Sequence, residues 1–129
     1  MSPAKLGATS KGPVVQIFGM EDSQGTRAAI RFFRERRIVP HLVDLRHKAI
    51  APAELRRFVE RLGARGCADT EGAAWKDAGL DYLRMDDAGL AARLLADVRL
   101  LKLPFVRIGN GVAAGRDEAA WKALLAAAR

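Results

Sequence analysis

Cysteine is scarce in this chain of 129 residues, which has only Cys67. A single cysteine excludes an internal disulfide, a Cys-x-x-Cys redox pair and a cysteine-rich zinc site. The longest apolar runs fall well short of the roughly 18–20 residues that a membrane span requires. Residues 1–12 also lack the apolar core of a secretory signal. These absences predict a cytoplasmic protein that does not associate with a membrane.

Aromatic residues are also few, at 6% of the chain, which leaves no obvious platform for stacking bases. The formal net charge is +7, from 22 Lys and Arg against 15 Asp and Glu. Such a charge permits attraction to nucleic acid. However, the sequence has no block of five consecutive basic residues and no Cys/His finger. Nucleic acid is therefore disfavoured as a partner.

Hydrophobic residues make up 50% of the chain and charged residues 29%, a balance typical of a globular domain. Residues 1–12 are small and polar, which predicts a flexible N-terminal tail. The remaining residues, 13–129, are predicted to form one domain, since their length fits a typical domain size.

Hydrophobic periodicity and turn residues predict four strands and five helices in the order β-α-β, helical insertion, β-β-α. The insertion covers about residues 50–98. The first strand, helix and strand predict a parallel pair, and Gly109-Asn110-Gly111 predicts a hairpin. We therefore expect an α/β fold with a mixed four-stranded sheet. The predicted strands are 13–18, 41–45, 104–108 and 112–114, and the predicted helices are 25–37, 52–62, 72–78, 86–97 and 118–128.

Five short segments in this order match motifs of a known family. They are residues 17–29, Val43-Asp44-Leu45, Asp69-Thr70-Glu71, Leu103-Pro104-Phe105-Val106 and Ala114-Gly115-Arg116-Asp117-Glu118. In order and spacing they resemble the family of arsenate reductases (ArsC), Spx and YffB-like proteins. The resemblance covers about residues 14–126 and implies a thioredoxin-like or glutaredoxin-like fold.

The departures from the family pattern concern its chemistry. Catalytic members of the family hold a cysteine where the first helix begins, and the helix N–H groups favour its thiolate. Here that position is Ser23, and the second cysteine of Spx-type relatives is replaced by Thr26. Two arginines that bind the oxyanion in arsenate reductases correspond to Glu71 and Leu103, and only Arg116 matches. The resemblance therefore implies a degenerate active site.

Four residues remain candidates for binding, namely Ser23, Thr26, Pro104 and Arg116. Ser23 is either a ligand-binding hydroxyl or an N-cap, and the cap is the favoured interpretation. The resemblance implies a cis peptide at Pro104, beside which a peptide or glutathione docks in relatives. Arg116 is expected to contact either an anion or a carboxylate of its own fold. Cys67 is either a redox thiol or an inert core residue.

Other polar groups have simpler interpretations. His41 and His47 have no further ligands nearby in sequence, so no metal site is predicted. Asp86 and Asp87 are interpreted as a helix cap. Five arginines of the first helix form either a solvated face or a surface for an acidic partner: Arg27, Arg31, Arg34, Arg36 and Arg37.

The sequence favours a redox-inactive protein that binds a protein segment or a small thiol peptide. Glutathione is the one cofactor that the resemblance allows, and no other is predicted. The alternative is a glutathione-dependent thiol or arsenate reductase that uses Cys67 or a serine variant of the site. A weaker alternative is a transcription-related regulator, since Spx-type relatives bind RNA polymerase, or a nucleic-acid-associated one, on account of the net charge of +7. Enzymatic activity is thus left open, with its absence favoured.

Overall fold

A computed structural model describes residues 13–128 of the chain. The predicted tail at 1–12 lies outside the described residues. The strands are β1 (Val15–Gly19), β2 (His41–Asp44), β3 (Phe105–Ile108) and β4 (Gly111–Ala114). The helices are α1 (Gln24–Glu35), α2 (Pro52–Leu62), α3 (Ala73–Asp77), α4 (Asp87–Ala96) and α5 (Glu118–Ala127). Short 3-10 turns lie at Arg65–Cys67, Leu80–Tyr82 and Val98–Leu100.

The strands form one mixed sheet in the order β2-β1-β3-β4. β1 pairs with β2 in parallel, while β3 is antiparallel to both β1 and β4. The predicted parallel pair and hairpin are therefore confirmed. In the hairpin, Ile108 pairs with Gly111, and Gly109 between them has a φ of 60°. Glycine adopts this left-handed conformation readily, because it has no Cβ.

Each face of the sheet carries its own core, because successive strand residues point to opposite faces. On one face, α1 and α5 cover Ile17 and Val106, and Phe32 lies 5.3 Å from Trp121 between ring centroids. On the other face, the helices of the insertion cover Phe105, whose ring stacks on that of Phe58 at 4.6 Å. The predicted insertion therefore covers one of the two cores of the molecule.

Helix boundaries follow from local chemistry. α2 begins with Pro52 in its first turn, where proline lacks only an N–H that has no helical partner. It ends at Gly63, whose φ is 78°. α4 is capped by Asp86, whose Oδ1 accepts a 2.8 Å hydrogen bond from the Gly89 N–H. Asp87 has another role, because its Oδ1 accepts a 2.9 Å hydrogen bond from the Ala64 N–H.

Two details of the predicted pattern are wrong. Val14, predicted to lie in the first strand, is 76% exposed because β1 begins one residue later. The helical spacing of Leu90, Leu94 and Leu95 predicts that all three face the core, but Leu95 is 39% exposed because Leu90 and Leu94 already fill the inward positions of α4. Within residues 13–128, no helix combines the length and apolar character needed to cross a membrane.

Candidate functional site

The loop between β1 and α1 ends in a serine cap. Ser23 has extended backbone angles, and its hydroxyl oxygen accepts a 3.3 Å hydrogen bond from the Thr26 N–H. This bond satisfies one of the N–H groups that the first turn of a helix leaves without a partner. Ser23 is thus an N-cap that remains partly exposed.

Thr26 is fully buried and fixes the same loop from inside. Its Oγ1 accepts a 3.3 Å hydrogen bond from the Met20 N–H. A Cβ added at Gly19 would lie 2.3 Å from that oxygen, so glycine is needed where β1 ends. Thr26 is predicted to bind a ligand, but it has no exposed surface with which to contact one. Its side chain holds the loop instead.

The first turn of α1 lies directly against Pro104. The Leu103-Pro104 peptide is cis, as the family resemblance implies. A Cβ added at Gly25 would lie 3.1 Å from Pro104 Cδ and 3.3 Å from the Leu103 carbonyl oxygen. Gly25 was not among the predicted site residues. A glycine within the predicted amphipathic helix was the one feature of the sequence that could have indicated it. A side chain at position 25 would therefore force the helix or the Leu103-Pro104 backbone to shift.

The backbone beside Pro104 is already hydrogen-bonded within the protein. The Gly115 N–H donates to the Pro104 carbonyl oxygen at 2.9 Å, and the Leu103 N–H donates to the Leu101 carbonyl oxygen at 3.1 Å. The Pro104 side chain is less than 2% exposed. Pro104 is therefore buried beneath the site. Its carbonyl oxygen and the Leu103 N–H already have hydrogen-bond partners within the protein, so they are not free to pair with an extended peptide.

Arg116 supplies the exposed positive charge of the site. Its Cβ lies 3.6 Å from the Cβ position at Gly25, so it borders the first turn of α1. It forms no ion pair with any residue of the described part of the chain. Its guanidinium is therefore free to contact an anion, and the expected carboxylate partner within the fold is not found among those residues.

Two carboxylates and Arg46 lie beside the loop between β1 and α1. Asp44 ends β2, and its Oδ1 accepts a 3.0 Å hydrogen bond from the Arg46 N–H. Asp22 precedes the helix and lies 3.7 Å from the Arg46 guanidinium, measured from Oδ2 to Nη1. His47 Nε2 lies 3.7 Å from Asp44 Oδ2. Arg46 thus lies within ion-pair distance of both carboxylates and offsets their negative charge.

Cys67 lies in the core beneath α2 and has no exposed surface. Its pKa is raised from 9.0 to about 12, mainly by burial and further by the negative charge of Asp87. The surrounding cluster includes Phe58 and Trp75, and its described members include no residue of α1. The thiolate, which is the reactive form, is thus strongly disfavoured at this position.

Metal binding finds no support in the geometry of the described residues. Among residues 13–128, no three or more His, Cys, Asp or Glu side chains are grouped closely enough to hold an ion. His41 lies at the start of the edge strand β2, and its side chain is exposed.

Comparison with known proteins identifies the fold. The YFFB protein aligns at a TM-score of 0.79 and 18% identity, covering 87% of this chain and 99% of that chain. An arsenate reductase from Vibrio cholerae aligns at a TM-score of 0.75 and 19% identity, covering 86% and 98%. An arsenate reductase (ArsC) related protein from Brucella melitensis aligns at a TM-score of 0.63 and 17% identity, covering 85% and 92%.

The family follows from the sequence match. No curated protein matches this chain significantly, but the model of the ArsC family matches residues 18–124, which is most of its length. The match includes the α1 N-terminus, Pro104 and Arg116, which the structure brings together. This chain, with its mixed sheet and arsenate reductase-like neighbours of thioredoxin-like fold, therefore belongs to the ArsC family.

Proposed function

We propose that this protein is a redox-inactive member of the ArsC family that acts by binding. Its ligand would be a protein segment or a small thiol peptide such as glutathione. One observation carries the proposal: the only cysteine of the chain is buried in the core, with a pKa raised to about 12. The helix start that favours a thiolate holds Ser23 instead.

The hydroxyl at Ser23 cannot replace a thiol in this chemistry. A thiolate attacks a disulfide sulfur and forms a mixed disulfide, which a second thiol then resolves. Serine has no sulfur to form that bond, and its hydroxyl is a far weaker acid than a thiol. The helix N-terminus contributes only about 0.3–1 kcal/mol toward an anion, which is too little to ionise the hydroxyl. Binding is therefore the function that the site retains.

Arg116 and the start of α1 define where a ligand would dock. The guanidinium of Arg116 is exposed beside the first turn, where helix N–H groups favour a negative group. A single carboxylate, as at the end of a peptide or in glutathione, fits this pair better than arsenate, because two oxyanion-binding arginines of arsenate reductases correspond to Glu71 and Leu103 here. Transcription machinery is a possible partner only through the resemblance to Spx.

The binding half is tested with S-methylglutathione, which cannot form a disulfide. We expect calorimetry to detect binding, and Arg116→Gln to weaken it about tenfold by removing a charge-assisted hydrogen bond. The matched control is Arg93→Gln, which removes an exposed arginine from α4 and should leave the affinity unchanged. Failure to bind S-methylglutathione, together with recovery of no partner protein at near-cellular concentration, would contradict the proposal.

The redox half is tested by turnover with glutathione plus arsenate or a mixed disulfide. We expect the wild-type protein to give no rate above that of glutathione alone, and Cys67→Ser to match it. Activity that disappears in Cys67→Ser would restore the alternative, a reductase that uses Cys67. Activity retained in Cys67→Ser but lost in Ser23→Ala would indicate a serine-based site.

A further inference from the structure

The outer face of α1 carries an unusually basic surface. Arg27, Arg31 and Arg34 recur at helical spacing and are all exposed, and we call them the arginine face. They line a shallow groove of about 420 Å³, together with Ile30 at its floor and Glu35 at its edge. This surface lies along the helix and is distinct from the site at its N-terminus.

The concentration of positive charge sets α1 apart from α2, a helix of similar length. Residues 24–37 contain five arginines and a single acidic residue, Glu35, whereas α2 mixes three arginines with two glutamates. Like charges four residues apart on a helix repel one another. The arginines of the arginine face therefore repel one another, and the negative charge of an acidic partner would reduce that repulsion.

Two of the three residues of the arginine face have no polar side-chain contact within residues 13–128. Arg36, which is not part of this face, does have one, since its guanidinium lies 3.6 Å from the Phe32 ring centroid and donates to the Phe32 carbonyl oxygen. Arg27 donates one 3.1 Å hydrogen bond to the Glu21 carbonyl oxygen. Arg31 and Arg34 form neither a side-chain hydrogen bond nor an ion pair with any residue between 13 and 128. Their charge is thus available to a partner.

We infer that the arginine face docks an acidic segment of another protein that also carries an apolar side chain. The groove floor at Ile30 favours such a segment over nucleic acid, because a phosphate backbone offers nothing apolar to cover it. No aromatic side chain lines the groove, so unstacked bases find no platform there. The inference does not depend on the ligand site at Arg116.

The test uses a short synthetic peptide of glutamates with one central leucine, labelled for fluorescence anisotropy. We expect the full-length protein to bind it at low salt, and the affinity to fall as salt rises. The variant Arg31→Glu/Arg34→Glu should lose about tenfold in affinity. The control Arg57→Glu/Arg61→Glu changes the net charge equally on exposed positions of α2 and should lose less than about twofold.

Further arms separate the competing outcomes. Replacing the peptide's leucine with asparagine should weaken binding, and the neutral variant Arg31→Gln/Arg34→Gln should lie between wild type and the reversal. Circular dichroism checks that each variant folds. Absence of binding, or equal losses in both reversal variants, would overturn the inference. Tighter binding of single-stranded DNA would assign the face to nucleic acid. A salt-sensitive dimer abolished by the α1 reversal would assign it to a second copy.

Discussion

Ser23 and Cys67 each have only one of the two features that a reactive thiol requires, which are the sulfur atom and surroundings that lower its pKa. At Ser23, where α1 begins, the helix N–H groups favour an anion, but the side chain is a hydroxyl that caps the helix. At Cys67 the side chain is a thiol, but burial and Asp87 raise its pKa to about 12. The helix start that would activate a thiol and the thiol itself thus lie in different parts of the molecule, one partly exposed and one in the core.

This separation shows why the presence of a cysteine alone does not predict redox chemistry. A thiol becomes a nucleophile only where its surroundings lower its pKa and admit a substrate. The scaffold around Ser23 retains the helix start, the buried proline and Arg116 of the family arrangement. Five predictions follow from this difference between Ser23 and Cys67.

The largest expected effect comes from moving the thiol. In Ser23→Cys/Cys67→Ala, we expect the new thiol to have a pKa below its ordinary value, because the helix N-terminus favours the thiolate. Iodoacetamide at pH 7 should modify it on the order of a hundredfold faster than native wild type, since Cys67 is fully buried and its pKa is raised. Equal rates in the two proteins would show that the α1 N-terminus no longer activates sulfur.

The close contact between α1 and Pro104 predicts the next largest effect. Gly25→Val would place side-chain carbons against Pro104 Cδ and the Leu103 carbonyl oxygen. We expect a loss of about 3 kcal/mol in the free energy of unfolding, measured by urea denaturation. Gln24→Val, at the exposed neighbouring position, is the control and should be nearly neutral. A tolerated Gly25→Val would mean that the helix does not approach the proline so closely.

Cys67 should behave as a core residue. Cys67→Ser buries a hydroxyl among apolar side chains and is expected to lower the free energy of unfolding by about 2 kcal/mol. Cys67→Ala leaves only a small cavity and should be less destabilising than the serine variant. If serine were instead as stable as wild type, the site would have to be polar or hydrated.

Ser23 should matter for stability as a cap. Ser23→Ala removes the acceptor for the Thr26 N–H and should lower the free energy of unfolding by about 1 kcal/mol. Ser23→Asp restores an acceptor and should recover most of that loss. Equal stability of the alanine variant and wild type would argue that another group, such as Asp22, caps the helix.

The smallest effect is a dependence on alkaline pH. The pKa of Cys67 is higher in the folded chain than in the unfolded one, so its contribution is intact below pH 9.0 and declines as pH rises toward about 12. At about pH 9.5 we expect wild type to lose under about 1 kcal/mol that Cys67→Ala does not lose. Identical pH profiles of the two proteins would show an exposed, ordinary thiol.

Much of the fold was predictable because its signals are local. Pro52 and Gly63 bound α2, and Gly109-Asn110 closes the hairpin, in agreement with the predicted elements. Strand periodicity and short connections also indicated the parallel pair β1 and β2. The exposure of Leu95 was not predictable, since two apolar neighbours on one helix do not reveal which of them the core accepts.

The site was predictable only in part. The order of the motifs predicted that Ser23, Pro104 and Arg116 contribute to one site. In the structure, Pro104 and Arg116 both lie beside Gly25 in the first turn of α1. The burial of Thr26 was missed, because a polar residue facing inward is visible only once its hydrogen bond to Met20 is known. The contact between Gly25 and Pro104 was not predictable from periodicity, because these residues lie far apart in sequence and periodicity describes only neighbouring residues.

The most direct test of the central claim follows the alkylation of Cys67 in the wild-type protein as urea is increased. If the only thiol is inaccessible in the folded state, the rate should rise with urea in parallel with global unfolding and extrapolate to very slow modification in water. Rapid modification that is independent of urea would contradict the account, because it would show a reactive thiol in the native molecule.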